Sequence, residues 1–153
     1  MNKIWIYAKS IAIPVLVGLV VGWLTMSSMD YGNLNQPPFA PPGFIFPIVW
    51  TILYVLMGIS YGILKTKGLV DAQVNSVYYW QLGINALWSI FFFVLKWRLF
   101  AFFWIILLGV KVYQMIKEFW QKDKLSGGLQ IPYLAWIVFA GYLNFGVYWL
   151  NRL

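Results

Sequence analysis

The sequence predicts an all-α integral membrane protein, a bundle of five transmembrane helices forming one domain over residues 1–153. Of its 153 residues, 62% are hydrophobic and only 10% charged, too little polar surface for a soluble chain of this length. Apolar runs of about eighteen or more residues recur, the length a helix needs to cross a bilayer. The polar stretches between them are short, with lysines at the ends of the runs.

The first span is read over residues 5–26. It is long enough to cross and lacks a convincing small-residue cleavage site, so a signal peptide is the weaker reading. A loop over 28–43 leads into the second span, 44–64, and the third covers 77–95. "LKWRLF" then leaves room only for a tight turn, making the third span and the fourth, 99–119, antiparallel neighbours. "QKDKLSGGLQ" reads as a polar, glycine-rich connection to the fifth span, 131–150. Gly18 and Gly22, and Gly58 and Gly62, form two GxxxG pairs that allow close helix approach, within one bundle or between two chains.

Orientation follows from the basic residues. Lys3, Lys9, Lys65, Lys67, Lys117, Lys122 and Lys124 fall on one side, against Lys96, Arg98 and Arg152 on the other. The positive-inside rule then puts the N-terminus in the cytoplasm, with the first loop and the C-terminus outside, and the cell membrane as the expected location. The net charge of +7 is therefore read as facing anionic membrane lipid, and no nucleic-acid partner is expected.

Several chemistries lack their parts. There is no cysteine and no histidine, so thiolate or imidazole metal sites and a Ser-His-Asp triad are excluded, and no metal is expected. The four acids, Asp30, Asp71, Glu118 and Asp123, lie in loops or at a helix end. A proton-coupled pump usually needs an intramembrane carboxylate or histidine, and none is present.

Aromatic residues make up 21% of the chain. Trp5, Trp97, Trp120 and Trp149 suit interfacial belts, whereas Trp50, Trp88, Trp104 and Trp136 lie deeper. Helical spacing groups Trp50, Tyr54, Met57 and Tyr61 on one face of the second span. It likewise groups Tyr78, Gln81, Asn85, Trp88 and Phe92 on the third, and Trp136, Ala140 and Asn144 on the fifth, with Tyr148 one turn on. Two readings fit these stripes. One is a packed core with amides bonded across helices. The other is an aromatic-walled pocket for a large flat apolar ligand, with Gln81 and Asn85 bonding its polar edge. The "PPFAPPGF" segment has little backbone freedom to lose, so it suits a stiff cover over the bundle or a rigid connector.

"PPFAPPGFIFPIVWTILYVLMG", "QLGINALWSIFFF" and "IPYLAWIVFAGYLN" together resemble the translocator protein family, also called the tryptophan-rich sensory protein or peripheral benzodiazepine receptor family. The likeness covers essentially the whole chain. It implies a five-helix bundle, often a homodimer, that acts as a receptor for porphyrins such as protoporphyrin IX and for haem, sterols and synthetic ligands. Some bacterial members of the family assist light-dependent porphyrin breakdown. Facilitated transport of porphyrin or sterol-like solutes, and ligand-dependent sensing without turnover, are the alternative activities.

By resemblance the ligand-binding residues are Tyr31, Pro41 and Pro42 of the loop, Trp50, Asn85 and Trp88, and Trp136 with the small Ala140. Tyr54 and Gln81 join them through the shared faces. No cofactor is obligatory, porphyrin being ligand or substrate. Without histidine or cysteine to ligate haem iron, stacking and burial dominate. An indole touching a light-excited porphyrin can donate an electron or trap reactive oxygen products, which makes Trp50 and Trp136 candidate catalytic residues. Two departures stand out. Asp30 occupies the position where the family usually has tryptophan, and Phe145 replaces the tyrosine that usually follows the fifth-span asparagine.

Overall fold

The computed structural model describes residues 2–152, and every regular element among them is helical. The elements are α1 (Lys3–Thr25), α2 (Ile45–Thr66), α3 (Ala72–Ser89), α4 (Arg98–Lys122), the one-turn α5 (Lys124–Gly128) and α6 (Ile131–Asn151). Five of these segments are long and apolar enough to cross a membrane, α3 being extended by the turn that follows it and α6 preceded by α5. The bundle expected from hydropathy is therefore the fold.

Side-chain caps set several helix starts. Asn2 accepts the Ile4 amide proton at 2.9 Å and opens α1. Asp71 accepts from the Val74 amide at 2.9 Å, which begins α3 at Ala72, five residues ahead of the expected Val77.

The helices close into a ring. α1 packs on α2 and α3, α3 on α4, and α4 on α6, while α2 and α6 meet through aromatic side chains. The α1–α2 contact is the tightest. A Cβ on Gly58 would lie 2.3 Å from Ile11 Cα, and one on Gly62 would lie 2.6 Å from the Tyr7 ring. Gly18 similarly faces the Tyr54 ring, whereas Gly22 has nothing within 4 Å. Three of the four GxxxG glycines thus serve packing within the chain.

Between α3 and α4 the backbone widens into a π-helical turn over Ile90–Val94, closed by the Leu95 amide donating to the Ile90 carbonyl at 2.9 Å. Lys96 then takes a left-handed conformation, φ 57°, which reverses the chain into α4. Between α4 and α6 the glycine-rich stretch is ordered as α5, differing from the polar connection expected. Gly127 packs against the Trp120 backbone, where a Cβ would come within 2.6 Å. Ser60 and Ser126 also exchange hydroxyl-to-carbonyl hydrogen bonds at 2.7 and 2.8 Å, tying α5 to α2.

The proline-rich loop lies across one end of the bundle and is fastened at several points. The Pro37 ring fills a notch at Gly146, where a Cβ would come within 2.5 Å of it. The Tyr142 hydroxyl donates to the Pro38 carbonyl at 2.7 Å. Asn151 exchanges two hydrogen bonds with the Asn35 backbone, at 3.0 and 2.8 Å. Asp30 anchors the other flank, accepting from Arg98 Nη2 at 2.7 and 2.9 Å with Lys96 Nζ at 3.4 Å.

Partial burial opposes ionisation of Asp30, but the hydrogen bond and charge of Arg98, with Lys96 beside it, hold its carboxyl below the ordinary 3.8. A depressed value in the folded state means that the anchor contributes above the ordinary carboxylate range and is lost as pH falls through the lowered value. Protection of the Asn33 and Leu34 amides against hydrogen exchange, corrected for intrinsic rate, should be flat from about pH 5 to 8 and fall below about pH 4. Asp30→Asn should show the faster exchange already at neutral pH. A wild-type profile that falls between about pH 5 and 7 would refute this anchor.

Candidate functional site

The ring has one seam of a different kind. α2 meets α3 and α6 across large side chains, and of the residues expected at the site Trp50, Tyr54, Gln81, Asn85 and Trp136 converge there. Trp50 stacks on Tyr54 with ring centroids 5.7 Å apart and meets the edge of Tyr133 of α6 at 6.3 Å. Trp136 lies edge-to-face with Phe46 of α2 at 5.8 Å, and Phe46 in turn packs edge-to-face with Tyr31 of the loop at 4.9 Å. The Tyr31 hydroxyl donates to the Pro41 carbonyl at 3.1 Å, and partial burial raises its pKa. Pro42 is exposed, its carbonyl accepting the Ile45 amide proton at 3.1 Å where α2 begins. Ala140 is buried one turn beyond Trp136 on α6.

A directional hydrogen-bond chain crosses this seam. The Tyr54 hydroxyl donates to Asn85 Oδ1 at 2.6 Å, and Asn85 Nδ2 donates to the Tyr133 hydroxyl at 2.7 Å. Tyr133 donates to Gln81 Oε1 at 2.8 Å, and Gln81 Nε2 reaches the Met57 sulfur at 3.9 Å. All five residues are buried. Gln81 and Asn85 therefore serve here as the amides that bond across helices, and a ligand's polar edge can reach them only by displacing these partners.

Trp136 differs. Its indole nitrogen is buried and has no hydrogen-bond partner, leaving a free donor in the seam. Trp88 stands apart from this cluster, stacked on Phe92 at 5.1 Å and donating to Asn144 Oδ1 at 2.9 Å. Asn144 Nδ2 donates to the Arg98 carbonyl at 2.8 Å, so Trp88 supports the α4 start beneath the Asp30 anchor.

Two participants went unread in the sequence, Tyr133 and Phe46. Tyr133 lies three residues before Trp136 and seven before Ala140, so extending the fifth-span face by one turn finds it. Phe46 lies four before Trp50 and extends the α2 stripe in the same way.

The described residues hold no cluster of three or more potential metal ligands from histidine, cysteine, aspartate and glutamate. What the seam offers is flat aromatic surface, the buried unpartnered donor of the Trp136 indole and no charged side chain among these residues.

Comparison with known proteins places this architecture. Residues 10–150 match the model of the TspO/MBR family. Relatives include the tryptophan-rich protein TspO of Archaeoglobus fulgidus, 37% identical over 99% of both chains. Protein CrtK of Rhodobacter capsulatus is 36% identical over 79% of this chain and 78% of its own. The translocator protein of Bos taurus is 32% identical over 80% of this chain and 75% of its own. The chain is an integral membrane protein with five apolar spanning helices, and it belongs to the TspO/MBR family.

Proposed function

We propose that this protein is a membrane receptor for porphyrins, with protoporphyrin IX or haem lying in the seam between α2 and α6 beneath the proline-rich loop. The observation that carries the reading is the pairing of Trp50 with Tyr133 and of Trp136 with Phe46 across one α2–α6 seam, where the Trp136 indole N–H is buried without an acceptor. A flat macrocycle parts the rings of Phe46, Trp50, Tyr133 and Trp136 and offers an acceptor to that N–H. The concentration of lysines at the opposite end from the loop supports a cytoplasmic N-terminus, with the loop facing outward.

A porphyrin titration of detergent-purified protein in the dark, followed by tryptophan quenching and porphyrin absorbance, tests this. Saturable binding should weaken about two- to tenfold in each of Trp50→Phe and Trp136→Phe, the range expected for one aromatic contact. Affinity unchanged in both variants, or no saturable binding, overturns it. Repeating the titration under illumination separates storage from turnover, since only turnover removes porphyrin absorbance with time and slows in the tryptophan variants.

A further inference from the structure

The end of the bundle that carries the loop has only three of the chain's eleven basic residues, Lys96, Arg98 and Arg152, and all three line one groove. The groove measures about 400 Å³ and lies between the first turn of α4 and the last turn of α6, walled also by Trp97, Phe100 and Tyr148. Asp30 is the only acidic side chain at this end among the described residues and lies against Arg98 and Lys96, so the basic side chains outnumber it. Arg98 is held in place with its side chain 13% exposed, its guanidinium 5.2 Å from the Phe92 ring centroid and its Nε buried without a partner. Arg152 stacks on Trp149, 3.5 Å from its ring centroid, and also donates to the Trp149 carbonyl. Lys96 is placed by a left-handed backbone, φ 57°, in which a side chain is tolerated at some cost. No side chain caps α4, and its first turn contains no acid.

These features share one preference, for an oxygen anion at the membrane–water boundary. Long basic side chains at a helix end reach the headgroup level, and tryptophan and tyrosine occupy the same depth. Away from the groove, the exposed Phe103 and Phe145 give α4 and α6 the apolar surface that acyl chains require.

We infer that this groove binds the phosphodiester headgroup of an anionic phospholipid, held by Lys96, Arg98 and Arg152 with its acyl chains along α4 and α6. The site is separate from the aromatic seam and independent of the porphyrin reading. Charge concentrated at one groove distinguishes it from the seven lysines assigned to the opposite end, which follow the general orientation rule.

The test is native mass spectrometry of the full chain released from nanodiscs containing equal phosphatidylglycerol and phosphatidylcholine of matched acyl chains. The wild type should retain phosphatidylglycerol preferentially. Lys96→Gln/Arg152→Gln should lose about 25-fold of that preference, at about fivefold per basic residue, while keeping its helical circular dichroism and thermal midpoint. Arg98 is left intact because its two hydrogen bonds to Asp30 hold the loop, to which Lys96 adds only an ion pair at 3.4 Å. Lys117→Gln/Lys124→Gln, at the opposite end, should keep the wild-type preference. Equal retention of the two lipids, an unchanged preference in the first variant, or an equal loss in the second overturns the inference. Millimolar inorganic phosphate or glycerol phosphate should leave retention unchanged; displacement by either would assign the groove to a soluble anion and overturn the lipid assignment.

Discussion

Gly58→Ala should destabilise the protein by about 3 kcal/mol, at the upper end of what overpacking a tight interface costs. The added carbon would stand 2.3 Å from Ile11 Cα and 2.8 Å from the Ile11 nitrogen and Ser10 carbonyl oxygen. These are backbone atoms of α1, so no side-chain rotation relieves the clash, and α1 has to move away from α2 along its length. Gly22→Ala is the matched control: nothing lies within 4 Å of its added carbon, and alanine is the better helix former by up to about 1 kcal/mol. Thermal unfolding in one detergent, read by circular dichroism, should lower the midpoint of the first variant by several degrees and leave the second unchanged or slightly raised. Equal midpoints would show that α1 rests on α2 more loosely than the distance implies.

Asn85→Leu carries the second large effect. Leucine matches asparagine roughly in volume but removes the acceptor for Tyr54 and the donor to Tyr133 at once. Hydrogen bonds between membrane helices are worth about 0.6 kcal/mol on average, with a maximum near 1.7. The added cost comes from the buried Tyr54 hydroxyl left without a partner, about 1–3 kcal/mol. The sum expected is about 2–4 kcal/mol. The double variant Tyr54→Phe/Asn85→Leu should recover part of it, because deleting the stranded hydroxyl removes its desolvation penalty. A double variant no more stable than the single one would mean that the Tyr54 hydroxyl finds another partner. Either way, the comparison separates the hydrogen-bond chain from simple packing, which the porphyrin titration does not.

The features legible in the sequence share a physical origin. Hydropathy reports how long a helix is, and the 3.6-residue period reports which side chains share a face, so the spans and the Trp50–Tyr54 and Gln81–Asn85 stripes could be read directly. Neither reports how one helix is rotated against another. That Asn85 bonds Tyr54 and Tyr133 rather than a ligand depends on such rotations, as does the diversion of Trp88 to Asn144. Charges were harder still. Lys96, Arg98 and Asp30 read as orientation signals and a loop acid, yet Asp30 and Arg98, 68 residues apart, form the loop's anchor. The glycine-rich stretch before α6 misled for a related reason. Gly127 is small because Trp120 needs the space, and spacing alone cannot tell that requirement from flexibility.

The fastening of the loop is one-sided. Pro37, Pro38 and Asn35 attach it to α6, and Asp30 attaches it to the α3–α4 turn, whereas its contact with α2 is the edge of the Tyr31 ring on Phe46 and the short backbone link into the helix. By its side chains the loop is therefore fastened to the α3–α4 turn and to α6, while to α1 and α2 it is joined chiefly by the chain itself, after Thr25 and before Ile45. If the proposed porphyrin enters the seam between α2 and α6, a sideways route from within the bilayer is the one that leaves these fastenings unbroken.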